Sequence, residues 1–112
     1  MHELAITRNI VALVGEAAGG RRVTRVTLEI GKLSGVMADA IEFCFGIVAE
    51  GSKLDGAALD IRLIDGAAKC RDCGGEFATE TLFAPCPCGS RQIVRLRGEE
   101  LNIKSMELEE AA

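Results

Sequence analysis

Tryptophan and tyrosine are absent and only four phenylalanines occur, so these 112 residues must build their core from aliphatic side chains. Histidine is almost absent too. With His2 alone, and no second acid–base cluster near it, the chain makes a poor hydrolytic or oxidative metalloenzyme. Basic residues number 13 against 17 acidic ones, which argues against nucleic acid, because phosphate binding needs a basic footprint and aromatic stacking platforms. No run approaches the roughly 18–20 apolar residues of a membrane span. Glu3 and Arg8 interrupt any signal-peptide layout. The expected location is therefore the cytoplasm. There, clustered cysteines serve as metal ligands more often than as disulfides.

What is present divides along the chain. Ile6, Ile10, Val11, Leu13, Val14 and Ala17 recur at helical spacing within 4–18, and Gly19-Gly20 ends that helix. Over 23–30, Val26, Leu28 and Ile30 alternate with Arg25, Thr27 and Glu29, the pattern of a half-buried strand. A second helix is predicted over 38–50, with Ile41, Phe45 and Val48 on its apolar stripe and Gly51 as its stop. A second strand is predicted over 58–65, and two more over 92–96 and 101–108. Gly66-Ala67-Ala68 reads as a joint into a cysteine region. The fold class is α+β: a small mixed sheet with two helices, carrying an inserted zinc-ribbon-like domain. The expected division is 1–66 with 98–112 as one domain and 67–97 as the insert.

Four of the five cysteines stand as Cys70-x2-Cys73 and Cys86-x-Cys88. Zn²⁺ prefers four ligands in a tetrahedron, and thiolates on two short turns supply them. Gly74-Gly75 after the first pair permits the dihedrals of a tight knuckle. The second pair is one residue shorter, and Pro87 stiffens it. A zinc ion with four thiolates carries a net charge of −2. Lys69, Arg71, Arg91, Arg95 and Arg97, together with backbone N–H groups, are available to offset it. Cys44 falls on the second helix and reads as a small buried apolar residue.

A second metal-binding pattern is Met1-His2-Glu3. An imidazole at position two can join a terminal amine and neighbouring backbone nitrogens around one ion. Such a planar nitrogen set suits Ni²⁺ or Cu²⁺. The first N–H groups of a helix have no intrahelical acceptor, so a metal can claim them without breaking a helical bond.

Met1-His2-Glu3-Leu4, the stretch Glu29-Ile30-Gly31-Lys32-Leu33-Ser34-Gly35-Val36, Phe43-Cys44-Phe45 through Ala49-Glu50-Gly51 and the late cysteine module occur in one order. Together they closely resemble the HypA/HybF family of nickel metallochaperones of [NiFe]-hydrogenase maturation, over essentially the full chain. The resemblance implies a nickel-binding α/β domain with an inserted zinc domain, and no enzyme activity. It implies Ni(II) as transferable cargo at Met1, His2 and Glu3, and structural Zn(II) at Cys70, Cys73, Cys86 and Cys88. The implied partners are a HypB-type GTPase, the hydrogenase large-subunit precursor and, in some members, urease maturation proteins. The family spaces its second cysteine pair by two residues, and this chain by one. The alternative is a zinc-ribbon protein-interaction module without a nickel role.

Overall fold

The structure, a computed structural model, describes residues 2–110. In chain order the elements are α1 (Glu3–Ala18), β1 (Val23–Gly31), α2 (Ala38–Val48), β2 (Ala58–Ile64), β3 (Ala67–Cys70), β4 (Glu76–Ala78), β5 (Ile93–Arg97) and β6 (Leu101–Leu108).

Helix α1 buries Glu3, Thr7, Ile10, Val14 and Ala18, a stripe at three- and four-residue spacing that faces the sheet. It ends at Gly19, which adopts a left-handed conformation. Helix α2 buries Ile41 and Phe45 on the same principle. Beneath the helices lies a mixed sheet of order β2-β1-β6, with β1 parallel to β2 and antiparallel to β6. Parallel neighbours need a crossover, and α2 provides it. Val26, Leu28 and Ile30 of β1 meet Ile10, Val14, Ile41, Phe45 and Leu54 in one aliphatic core. The opposite face of the sheet is charged, with Arg25 paired to Glu107 and Lys104 to Glu29.

The chain between β2 and β6 forms a separate antiparallel sheet of order β4-β3-β5. Here the structure departs from the expected joint. Ala67-Ala68 is not a linker but the start of β3, the central strand, with Ala68 opposite both Phe77 and Arg95. Small residues carry little strand preference of their own. Pairing on both sides therefore makes this segment a strand.

Where the sheets meet, three backbone stretches cross at close range. The Lys32 N–H donates to the Ile64 carbonyl (2.9 Å), the Leu33 N–H to the Gly98 carbonyl (2.7 Å) and the Gly31 N–H to the Glu100 carbonyl (2.8 Å). A Cβ on Gly31 would lie 1.9 Å from the Gly98 oxygen, and one on Gly66 would lie 2.4 Å from the Thr79 oxygen. Glycine is needed here for close approach rather than for looseness. Leu33 is buried against this crossing, its side chain within contact distance of Gly66 and Gly98.

Candidate metal centres

The cysteine cluster is assembled by two turns facing each other. In the first, the Gly74 N–H closes onto the Cys70 carbonyl (3.0 Å) and the Cys70 N–H onto the Gly75 carbonyl (2.9 Å). Gly74 takes a φ of 75°, a conformation that L side chains rarely adopt. In the second turn, the Gly89 N–H donates to the Cys86 carbonyl (2.8 Å) and the Cys86 N–H to the Ser90 carbonyl (2.9 Å). Ser90 Oγ donates to the Asp72 carboxylate (2.5 Å), and the Arg71 N–H donates to the Gln92 carbonyl, so the two turns are fastened together.

All four sulfurs lie within 4.8 Å of one another. Cys70 Sγ and Cys88 Sγ are 3.7 Å apart, and Cys73 Sγ and Cys86 Sγ are 3.6 Å apart. A tetrahedron with metal–sulfur bonds of about 2.3 Å has edges of about 3.8 Å. The donor set thus fits a four-thiolate zinc site, and the single residue between Cys86 and Cys88 still lets both sulfurs reach one centre.

The electrostatics of the cluster favour a cation. Three N–H groups point at sulfur: Cys73 N–H to Cys70 Sγ, Gly75 N–H to Cys73 Sγ and Cys88 N–H to Cys86 Sγ, each at 3.4 Å. The first of these draws the Cys70 thiol down to about 6. At Cys86 the Cys88 N–H also favours the thiolate, but burial and the crowding of the other three sulfurs prevail and push the thiol up to about 12. The Cys70 thiolate thus forms easily and the Cys86 thiolate does not, unless a positive ion joins them. The hydrogen bonds on the sulfurs come from the backbone. Of the expected basic cluster, Arg95 turns to Glu99 and the Leu82 carbonyl instead.

At the other predicted centre, Met1 lies outside the described residues. His2 is exposed and caps α1, its carbonyl accepting the Ile6 N–H (3.0 Å). Its φ of 39° is the one positive value at a non-glycine residue among the described residues, an uncommon conformation outside glycine. Glu3 is buried, with 8% of its surface exposed. Its Oε2 accepts the Met37 N–H (3.0 Å), and its carbonyl accepts Thr7 Oγ1 (2.7 Å). The Glu3 carboxylate thus sits at the N-cap of α2 and ties the starts of both helices together. Sequence reasoning missed this latch, because nothing local pairs residue 3 with residue 37. Cys44 is half-buried on α2 and takes no part in the sulfur cluster.

A family model described as hydrogenase/urease nickel incorporation, metallochaperone, HypA matches residues 1–108. The chain belongs to the HypA family. HypA proteins are metallochaperones and maturation factors rather than enzymes. The hydrogenase maturation factor HypA of Nostoc sp. is 56% identical over 110 residues, covering 98% of this chain and 97% of that protein. That of Geotalea uraniireducens is 50% identical, covering 97% of this chain and all of its own length. The solution structure of the nickel metallochaperone HypA from Helicobacter pylori superposes with a TM-score of 0.67 at 27% identity, covering 96% of this chain and 97% of that one.

Proposed function

We propose that this chain carries Ni²⁺ as cargo, taking it at Met1, His2 and Glu3 and releasing it for [NiFe]-hydrogenase maturation, with urease as a second destination. The Helicobacter pylori relative is described as a nickel metallochaperone, and the family model names both enzymes. The observation that carries the reading is the placement of the only histidine, exposed at the start of α1 in a chain of this family. Delivery requires ligand exchange with a recipient, which an exposed site of few residues permits and a buried cage opposes.

In this reading His2 supplies imidazole, Met1 the terminal amine and Glu3 its main-chain nitrogen. One oxygen of the Glu3 carboxylate holds the Met37 N–H, and the carboxylate is the alternative donor to the Glu3 main-chain nitrogen. Such a nitrogen set suits Ni²⁺ in a square field. Cys70, Cys73, Cys86 and Cys88 hold Zn²⁺ as a structural ion, with 67–97 as the zinc domain and 1–66 with 98–112 as the nickel domain. A HypB-type GTPase and the large-subunit precursor are the proposed partners. The proposed location is the cytoplasm, and no helix among the described residues is long and apolar enough to cross a membrane.

Calorimetric nickel titration with parallel zinc analysis tests this, on untagged protein with its native Met1. One nickel per wild-type chain, lost in His2→Ala while zinc stays at one, is the expected result. Equal nickel uptake by both proteins would move the site off the terminus. A zinc-stabilised interaction module would then be the better account.

A further inference from the structure

The mixed sheet has two open edges, β2 and β6, because its order is β2-β1-β6. An open edge presents main-chain N–H and C=O groups that another strand can meet. Which groups β2 presents follows from one bond. Gly31 pairs with Ile64, and the Lys32 N–H donates to the Ile64 carbonyl. Ile64 therefore turns its main-chain groups towards β1, and by two-residue alternation so do Arg62, Asp60 and Ala58. Leu59, Ile61 and Leu63 turn theirs outward.

The side chains of this strand are self-complementary about Ile61. Laid antiparallel on itself, Leu59-Asp60-Ile61-Arg62-Leu63 places leucine opposite leucine, isoleucine opposite isoleucine and aspartate opposite arginine. Leu59 and Ile61 are half-buried, and Leu63 is 54% exposed beside Met37, which is 62% exposed. Asp60 and Arg62 already pair within one copy at 3.7 Å, on the charged face. β2 pairs with β1 in unbroken register, whereas β6 shifts register opposite Thr27 and Leu28. A bulge of that kind puts the outward groups of β6 out of step. β2 is the better template.

We propose that β2 pairs antiparallel with β2 of a second copy of this chain, about a two-fold axis at Ile61, to form one continuous sheet through both subunits. Leu59 lies opposite Leu63 of the partner subunit, and Asp60 opposite Arg62 of the partner subunit. The symmetry repeats each contact. About six main-chain hydrogen bonds join the strands, two for each outward residue pair. The contact is small, so association is weak and depends on protein concentration.

Sedimentation velocity over a concentration series, on the full zinc-loaded chain at low salt, tests the proposal. Wild type is expected to show a monomer–dimer equilibrium. Asp60→Arg and Arg62→Asp each place like charges opposite one another at both symmetric positions, and each weakens self-association about tenfold or more. Mixing these two variants restores a dimer, because the edge with two cations then faces the edge with two anions. Misfolding of either variant cannot produce that rescue. Ile61→Pro also abolishes the dimer while keeping the β1–β2 ladder, since the Ile61 N–H points away from β1. The proposal is overturned by a wild type that stays monomeric at every concentration, or by single variants that dimerise as well as wild type. It is overturned equally by a dimer that only Ile103→Glu on β6 disrupts.

Discussion

The sheet β2-β1-β6 shares with its two helices a core of Ile10, Val14, Val26, Leu28, Ile30, Ile41, Phe45 and Leu54, whereas the sheet β4-β3-β5 buries little beyond Ala67, Ala68, Cys70 and Cys86. Each large aliphatic side chain removed from water contributes about 1.5–3 kcal/mol, and an alanine far less. The first region therefore has an apolar reason to fold. The second has three short strands, two turns closed by backbone bonds and four converging sulfurs. On the proposed reading, a zinc ion supplies there what packing supplies in the first region. One chain would then use two means of stabilisation, and the expectation to test is that each can be removed without the other.

The largest expected effect comes from removing a sulfur. Cys73→Ser, or a strong chelator, should drop bound zinc to near zero and collapse the amide dispersion of residues 67–97, while β1, β2 and β6 keep their hydrogen-exchange protection. Because thiols must lose protons to bind the ion, zinc affinity should also fall as pH falls. If both sheets melt together on chelation, the regions are not independent. The reciprocal experiment is Leu28→Ala, in a residue with 1% of its surface exposed. It should cost about 2–5 kcal/mol of unfolding stability in urea, with bound zinc unchanged. Loss of zinc in that variant would show that the cysteine turns rest on the aliphatic core.

The same contrast explains what the sequence made legible. Where burial follows a period, as for Ile10 and Val14 or the alternation Val26, Leu28, Ile30, the elements could be placed within a few residues. Even so, Leu13 and Ala17 of the expected stripe face outward, and Thr7 and Ala18 are buried instead. The cysteine turns were legible because zinc coordination demands paired thiols on short loops. Strand β3 was not, since Ala67-Ala68 has no pattern of its own and becomes a strand only through its partners on both sides. The Glu3–Met37 latch was hidden for a related reason, because the two residues meet only once both helices lie on one sheet. Nothing in the sequence around Gly31 or Gly98 announces the close crossing of their backbones, which is visible only in three dimensions.

That crossing gives a smaller prediction. Gly31→Ala drives a methyl into the Gly98 carbonyl, and overpacking of this kind costs about 1–3 kcal/mol. Because the contact joins the two sheets, amide shifts should move in both. Gly46→Ala is the control, since a Cβ there meets nothing within 4 Å and the residue lies inside α2. It should stabilise by about 0.5–1 kcal/mol through helix preference, and shifts should stay local. Equal and local effects in the two variants would mean that the crossing gives way without strain.

The smallest effect concerns the ion pair beside the same crossing, Lys32 with Asp65 at 2.5 Å. The hydrogen bond from Lys32 lowers the Asp65 carboxyl below its ordinary 3.8, and the same bond raises Lys32 above 10.5. A lowered carboxyl contributes stability above its unfolded value and loses it as pH falls through the folded one. A raised amine contributes below its unfolded value and loses it as pH rises through the folded one. The pair therefore acts across neutral pH and fades at both extremes. Both side chains are at least half exposed, at 51% and 80%, so solvent and salt screen the attraction. Asp65→Asn should shift the thermal midpoint slightly at low salt and not measurably at physiological salt. A loss comparable to that of Gly31→Ala, and independent of salt, would mean that charge rather than close backbone packing holds the two sheets together.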